Sequence, residues 1–243
     1  MRTLLSPQVG ASLRTAVKRA GRAAGLEVAA LSQSFAGLQR RLLAGVDLVV
    51  DVGANTGQYA RLVRSLGYRG RIVSFEPGAR AFENLARRAA ADELWEVRRT
   101  ALGAAPTTAT LHLSSNSVSS SLLPIRREHV DVAPASRVVG REDVDVSSVD
   151  IELAAVPGSS VWLKMDVQGS ELDVLAGAVD TFERVRVVQS EMLLTPLYDG
   201  QADYLEVCEL LRRRRLSLRH VERGFQDKGT GFVLAVDGLF VRS

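Results

Sequence analysis

Val49-Val50-Asp51-Val52-Gly53-Ala54-Asn55-Thr56-Gly57-Gln58-Tyr59 is an apolar run that breaks into a small, glycine-bearing turn and resumes as a helix pattern. A second apolar run, Val73-Ser74-Phe75-Glu76-Pro77, ends on an acid 19 residues after Gly57. This is the order of a β-turn-α-β nucleotide site. Glycines let the backbone approach a ligand closely, and a helix starting near Thr56 and Gly57 offers unpaired N–H groups. Glu76, at the end of the second strand, can accept hydrogen bonds from both ribose hydroxyls. Spacing then separates the nucleoside classes. A dinucleotide fingerprint needs G-x-G-x-x-G, and Gly53, Asn55 and Gly57 leave its second and third glycines out of place. No G-K-[ST] follows and no lysine lies near the turn, which excludes a phosphate-binding P-loop. Taken alone, Asp51 and Gly53 also read as ordinary turn residues of an α/β domain.

What remains is the looser D-x-G-x-x-x-G turn from Asp51 to Gly57, similar to that of class I S-adenosylmethionine-dependent methyltransferases. Their ligand has no phosphate, and its cationic methionine half tolerates an acid such as Asp51. Further along stand Arg99-Thr100-Ala101-Leu102-Gly103, Asn116-Ser117-Val118-Ser119-Ser120-Ser121-Leu122, and Lys164-Met165-Asp166-Val167-Gln168-Gly169-Ser170-Glu171. Val188-Gln189-Ser190-Glu191, Thr195-Pro196-Leu197-Tyr198 and Asp237-Gly238-Leu239-Phe240 follow. This succession, over roughly residues 46 to 243, resembles the FkbM family of methyltransferases, with K-M-D-V-Q-G-x-E its most specific element. The resemblance implies a bacterial O-methyltransferase with a Rossmann-like, seven-stranded α/β sheet and S-adenosylmethionine as cofactor. It also implies an acceptor hydroxyl on a sugar of a glycolipid or glycoside, or on a macrolide or polyketide secondary metabolite. In that family the N-x-x-S-S-S element accompanies the active site, which assigns Asn116, Ser119 and Ser120 to cofactor or acceptor contact.

At 243 residues the chain can form one α/β domain that buries roughly 70–75% of its unfolded surface. A single cysteine, Cys208, precludes an intrachain disulfide and a multi-thiolate zinc site, and it sits within a helical apolar pattern as a core residue. No run approaches a transmembrane length and no signal peptide is legible, so a cytoplasmic location is expected. Residues 1–24 carry Arg2, Arg14, Lys18, Arg19 and Arg22 with no acid, while the whole chain is only +3. With Leu13, Val17, Ala20 and Ala24 at helical spacing, residues 1–45 read as a helical extension that caps the sheet or covers the site as a lid. Peripheral contact with anionic lipid is the functional alternative, worth about 1 kcal/mol per basic residue near a membrane. Nucleic-acid binding is disfavoured, because aromatic residues are only 5% and none interleaves with these bases.

Strands alternate with helices along residues 46–243. Strands are expected at 48–52, 71–76, 95–100, 161–165 and 185–190, and helices at about 58–66, 80–90, 170–176 and 204–214. Segments 216–221 and 232–241 would pair as an antiparallel edge. Between 104 and 150 no helix pattern dominates; Thr110-Leu111-His112-Leu113 alternates like a strand, and the rest reads as a substrate-facing loop with His129 in a charged stretch.

In open α/β sheets ligands sit outside the carboxyl ends of the strands. That places Asp51, Gly53, Ala54, Asn55, Thr56, Gly57 and Tyr59 of the turn around the cofactor, with Glu76, Pro77, Thr100 and Ala101 from the next two strand ends. An uncharged hydroxyl is a poor nucleophile, so O-methylation needs a proton acceptor beside the in-line geometry. Asp166 is the first candidate, then Glu191, or His220 if the loop after its strand folds over the site. The competing reading of Asp166 is structural, as a partner of the cofactor's ammonium or a cap of the next helix. Lys164, two residues before Asp166 on the same strand face, reads as an ion-pair partner and secondarily as a base. Asp166, Glu191 and a substrate diol would also suit Mg²⁺, although two carboxylates are too few to require a metal. N-methylation of a small-molecule amine, a non-catalytic nucleoside-binding accessory protein and a nicotinamide dehydrogenase are the competing functions. The acceptor and the oligomeric state are not legible.

Overall fold

The computed structural model describes residues 15–17, 19, 20, 23 and 34–243. Most of the basic segment expected to cap the sheet or touch lipid, including Arg2, Arg14, Lys18 and Arg22, lies outside the described residues. Among the described residues the first long element is helix α1 (Phe35–Leu43), started by Ser34, whose side chain accepts from the Gly37 N–H. From there the chain runs β1 (Leu48–Val52), α2 (Gln58–Ser65), β2 (Arg71–Phe75), α3 (Ala79–Ala89), β3 (Trp95–Arg98) and β4 (Ala101–Leu102). Then come β5 (Thr107–Ser114), α4 (Arg127–Val132), β6 (Val138–Ser147), α5 (Val149–Leu153), β7 (Val161–Met165) and α6 (Glu171–Ala176). The chain ends with β8 (Val185–Leu193), α7 (Tyr204–Arg213), β9 (Leu216–Arg223) and β10 (Ala235–Arg242).

Seven strands form one sheet in the order β3-β2-β1-β7-β8-β10-β9. The pairs from β3 to β8 are parallel, and β10 is antiparallel to both β8 and β9. This is the doubly wound sheet with a terminal antiparallel edge that the class I pattern called for. β1 and β7 are buried at every position, as central parallel strands with helices on both faces must be. Alternation sends Leu48, Val50, Val52, Leu163 and Met165 to one face and Val49 and Trp162 to the other, where α1 to α3 pack. The reversal of strand order lies between β1 and β7, where an open sheet leaves a crevice.

The segment between 104 and 150 corrects the expectation of a single strand in loop. β5 and β6 pair antiparallel over eight registered positions, β4 joins β6, and the three make a second small sheet. α4 and α5 are short helices where none was expected. β6 carries its charges outward and buries only Val144 and Val146, so its apolar signal is two residues deep. β3 also stops at Arg98, two residues early, because Ala101 and Leu102 leave to pair with β6. Cys208 lies on α7 against the core as expected, its Sγ 3.7 Å from Met192 Sδ. Among the described residues no helix is long and apolar enough to cross a membrane.

Candidate active site

A cavity of about 470 Å³ opens at the carboxyl ends of the parallel strands, with Phe35 and Gln39 of α1 on its wall. Its rim at β1 is the glycine turn. Gly53 (φ +75°) and Ala54 hook this turn onto β2 by donating to the Phe75 carbonyl at 3.1 and 2.9 Å. A Cβ on Gly53 would stand 1.9 Å from the Asp166 carbonyl oxygen, so only glycine brings the β1 and β7 ends this close. Asn55 and Gly78 each donate a backbone N–H to one oxygen of Glu76, at 2.8 and 2.9 Å. Burial pushes the Glu76 carboxyl up to about 7, against the pull of those two N–H groups.

The sheet face beneath the cavity is layered. Ile72, Val49, Trp162 and Val187 pair across β2, β1, β7 and β8 as an apolar rung. Two residues further on, Ser74, Asp51, Lys164 and Gln189 pair as a polar rung. Trp95 Nε1 donates to Ser74 Oγ (2.9 Å), Ser74 to Asp51 Oδ2 (3.4 Å), and Lys164 Nζ lies 3.2 Å from Asp51 Oδ1. The Tyr59 hydroxyl and the Gln39 amide both donate to Gln189 Oε1, whose own amide donates to Asp237 Oδ1 at 3.2 Å. Burial alone would lower the Lys164 ammonium, but the Asp51 and Asp166 carboxylates outweigh it and hold it above the ordinary lysine range. Lys164 is thus an ammonium held between two carboxylates. One further step out stand acids: Glu76 after β2, Asp166 after β7, and Glu191 on β8 opposite Asp237 and Glu222.

Of the residues expected around the cofactor, Gly53, Ala54, Asn55, Tyr59, Glu76, Pro77, Thr100, Ala101, Ser120 and Asp166 line the cavity. Five of the expected residues stand outside it. Asp51 is fully buried beneath Lys164 and does not reach the cavity. Gly57 caps α2 at φ +85° because a Cβ would meet the Trp95 ring at 2.7 Å, and Thr56 is held outside by Arg88. Asn116 and Ser119 bond each other, Nδ2 to Oγ at 3.0 Å, and line a smaller chamber of about 160 Å³.

Asp166 is the half-exposed acid of the main cavity, its Oδ2 3.6 Å from Lys164 Nζ and its Oδ1 accepting from Gln168 Nε2 at 2.6 Å. β8 continues past Ser190 to Leu193, which carries Glu191 into the smaller chamber. Burial, then the Asp166 charge, pushes the Glu191 carboxyl well above the usual range. Gln168 Nε2 also donates to Glu191 Oε2 at 2.5 Å, so an amide bridges the two carboxylates that a Mg²⁺ ion would have to share. Among the described residues no group of three or more His, Cys, Asp or Glu side chains could hold a metal. His220 stacks on Phe35 (centroids 5.0 Å apart), stands 3.5 Å from Glu222 Oε2 and does not line the cavity. His129, read as a loop residue, is buried in α4.

Sequence reasoning missed Phe35, Gln39, Gln168, Gln189, Glu222 and Asp237 as lining residues. Gln168, Gln189 and Asp237 stand inside the motifs that carry the family resemblance; Phe35 and Gln39 stand in the N-terminal extension, outside any motif. The donor set fits S-adenosylmethionine. The Gly53–Ala54 turn at the end of β1 lines the cavity, paired hydroxyls can meet Glu76, and Leu102, Leu111 and Leu122 give an apolar end for a base. The acidic rung faces what would be the cationic end.

A family profile described as "Methyltransferase FkbM domain" matches residues 51–218. No curated protein matches significantly. Solved structures similar to the chain include a protein described as an RNA methyltransferase from Pyrococcus horikoshii (13% identity, 86% of each chain, TM-score 0.43). Others are a precorrin-6y C5,15-methyltransferase from Geobacter metallireducens (11%, 86% of this chain and 87% of that one, 0.46) and Aeropyrum pernix fibrillarin with natively bound S-adenosyl-L-methionine (9%, 81% and 66%, 0.46). With the profile spanning more than half its length, from the acid of the glycine turn into β9, the chain belongs to the FkbM family of S-adenosylmethionine-dependent methyltransferases.

Proposed function

We propose that the chain methylates a hydroxyl of a sugar, in a glycolipid or glycoside, or of a macrolide or polyketide metabolite. The observation that supports this most is Asp166, an acid 40% exposed on the cavity floor and oriented by Lys164 below and Gln168 beside it. Bound S-adenosylmethionine supplies an electrophilic methyl on a sulfonium. The chain's part is to hold the ribose at Glu76, orient the acceptor, exclude water under α1 and provide oxygen or nitrogen bases for the hydroxyl proton. Phe35 and Gln39 on the cavity wall support a lid role for the end of the N-terminal extension. A cytoplasmic location with peripheral membrane contact through the five bases of residues 1–24 completes the reading.

A second reading, N-methylation of an amine, is favoured by Asp237 and Glu222. These cross-strand partners both line the cavity, and a cationic amine would complement them. Calorimetric titration with S-adenosylmethionine, S-adenosylhomocysteine and NAD, on the parent and on Glu76→Ala, tests the cofactor site. Binding of the two sulfur nucleosides only, weakened in the variant, is expected; NAD binding instead would refute it. Mass spectrometry of glycosides, macrolides and amines for one gained methyl group then decides the acceptor. An Asp166→Asn variant that keeps most activity would point to the amine.

A further inference from the structure

We infer that the far end of the main cavity, walled by Gln39, Asp237 and Glu222, seats a protonated amine of the acceptor, which is methylated on a neighbouring hydroxyl. This rests on the methyl-transfer reading above and narrows its acceptor to an amine-bearing polyol ring, of which an amino sugar is the natural form.

The donor groups of this wall are engaged inside it. The Asp237 carboxylate accepts from Gln189 Nε2 at 3.2 Å, which fixes how the Gln189 amide is turned. Its oxygen in turn accepts from the Tyr59 hydroxyl (3.0 Å) and from Gln39 Nε2 (2.9 Å). Gln39 is thereby oriented as well. It is 1% exposed and lines the cavity, its amide nitrogen is given to Gln189, and its Oε1 accepts from no described residue. Lys164 Nζ is committed likewise, to Asp51 at 3.2 Å, Asp166 at 3.6 Å and the Gly53 carbonyl at 3.4 Å. What the wall presents is therefore acceptors: Gln39 Oε1 and the carboxylates of Asp237 and Glu222, which pair in register across β10 and β9. Among the described residues no lysine or arginine forms an ion pair with either acid; His220 Nε2 stands 3.5 Å from Glu222 Oε2 but does not line the cavity. Burial pushes the Asp237 carboxyl up against the pull of Gln189, and the Asp166 and Glu222 charges add to the rise. An ammonium has three donors, no acceptor and a positive charge, so it matches this wall on both counts, whereas a hydroxyl brings one donor and no charge.

The cofactor's own ammonium falls short of this end. In the strand order β2-β1-β7-β8-β10-β9, Asp237 lies four strands from Glu76 and Glu222 five, or roughly 19 and 24 Å at about 4.8 Å per strand. The methionine arm runs five bonds from the ribose C5′ to its nitrogen, about 7 Å at full stretch, which carries it toward Asp166 after β7 and leaves the far acids to the acceptor. Phe35, one helical turn before Gln39 on the same face of α1, lines the same cavity and stacks on His220 of β9 with centroids 5.0 Å apart. Its aromatic ring suits the C–H face of a saturated ring. A nitrogen held between carboxylates stays protonated, so its lone pair is occupied and it cannot attack the methyl carbon. The nucleophile is a hydroxyl of the same molecule. As that oxygen bonds to the methyl carbon, the carbon–sulfur bond breaks, sulfur keeps that electron pair, and the hydroxyl proton passes to Asp166.

The test uses the full chain saturated with S-adenosylhomocysteine and two ring probes of matched size, trans-2-aminocyclohexanol and trans-cyclohexane-1,2-diol, with dissociation constants from ligand-detected NMR. At neutral pH the amine is expected to bind roughly 10–100-fold more tightly than the diol, as charge-assisted hydrogen bonds allow. Glu222→Gln and Asp237→Asn should each weaken the amine by about tenfold and leave the diol and S-adenosylhomocysteine unchanged. Glu222 is half-exposed on an edge strand, and an asparagine at 237 still accepts from Gln189, so both variants keep the contacts of the fold. Should one misfold, the other decides. An amine that binds no better than the diol, or a preference unchanged in the variants, overturns the amine site alone. A loss of S-adenosylhomocysteine affinity in the variants assigns the acids to the cofactor's ammonium and overturns it as well. Failure of S-adenosylhomocysteine to bind the parent overturns the methyl-transfer reading itself. In any product found by mass spectrometry the methyl group should sit on an oxygen of an amine-bearing molecule, and a methyl on its nitrogen would overturn the role given to the amine.

Discussion

Replacing Lys164 by methionine keeps the volume and length of the side chain and removes the cation paired with Asp51 and Asp166. Asp51 is fully buried, and its remaining partner would be the Ser74 hydroxyl at 3.4 Å. Breaking a buried ion pair from one side costs about 3–5 kcal/mol, because a carboxylate is left in low dielectric. The lost contact of Nζ over the Tyr59 ring, at 5.6 Å, adds about 0.5–2 kcal/mol. The 3.6 Å pair with Asp166 adds little, since that acid is 40% exposed. Asp51→Asn in the same chain removes the stranded charge and keeps a partner for Ser74. The double variant is therefore expected to be more stable than Lys164→Met by about 2–3 kcal/mol, a coupling that double-mutant cycles resolve. Urea unfolding of the four chains measures it. The pH dependence has a sign. Without Lys164 the Asp51 carboxyl rises further, so the native state binds a proton that the unfolded state has released. The single variant's deficit relative to the parent then grows as pH climbs from the ordinary aspartate range, and the double variant shows no such growth. Additive single effects, or a deficit flat in pH, would refute the ion pair as the organising contact.

Gly53→Ala places a Cβ against the Asp166 carbonyl at a left-handed φ. The conformational cost of about 1–2 kcal/mol and an overpacking cost of about 1–3 predict a large fall in urea midpoint. Parent-like stability would contradict the close approach of the β1 and β7 ends at Gly53. Glu171, 3% exposed, is pushed by burial up to about 7 from 4.5, so its contribution is present below pH 4.5 and lost as pH rises through 7. Glu171→Gln cannot titrate and keeps an oxygen for the Val167 and Gly169 N–H groups. Its stability relative to the parent should rise by about 3 kcal/mol between pH 5 and 8, as urea midpoints would show. Glu76 accepts from ribose best when ionised, so S-adenosylhomocysteine affinity should decline as pH falls below about 7. Calorimetry on Glu76→Gln should find that limb gone; its survival would assign it elsewhere.

β1 and β7 were readable to the residue because each is an apolar run with a single charged residue, Asp51 or Lys164, bounded by turn residues. The glycine turn was legible for a different reason, since Gly53 is dictated by a backbone contact that admits no Cβ. Gly57 misled: its left-handed φ and its closeness to Trp95 make it a packing glycine, and a lone sequence position does not distinguish the two causes. The second sheet was illegible because β6 buries two valines among outward charges and takes its register from β5, a long-range pairing with no local period. His129 was hidden likewise, a lone histidine among charges on a six-residue helix, buried only because Tyr198 and Phe225 arrive from distant segments.

The layered sheet face explains why the site can be polar without unravelling the core. Val49, Trp162 and Val187 bury apolar surface in one rung; Asp51, Lys164 and Gln189 follow in the next, each with partners inside the fold. Only the third step, at Glu76, Asp166, Glu191 and Asp237, leaves carboxyl groups incompletely matched, and three of these are pushed upward by burial. Like-charged cross-strand neighbours such as Glu191 and Asp237 disfavour folding with both ionised. A ligand carrying positive charge, as a sulfonium with an ammonium does, lowers that cost when bound and stabilises the folded chain by linkage. Cofactor binding should accordingly release few protons at high pH and take up none, while at pH 6 the raised acids must lose theirs. Calorimetry in buffers of different ionisation enthalpy would register that release, and its absence at pH 6 would mean that the acids are not in the cofactor's field.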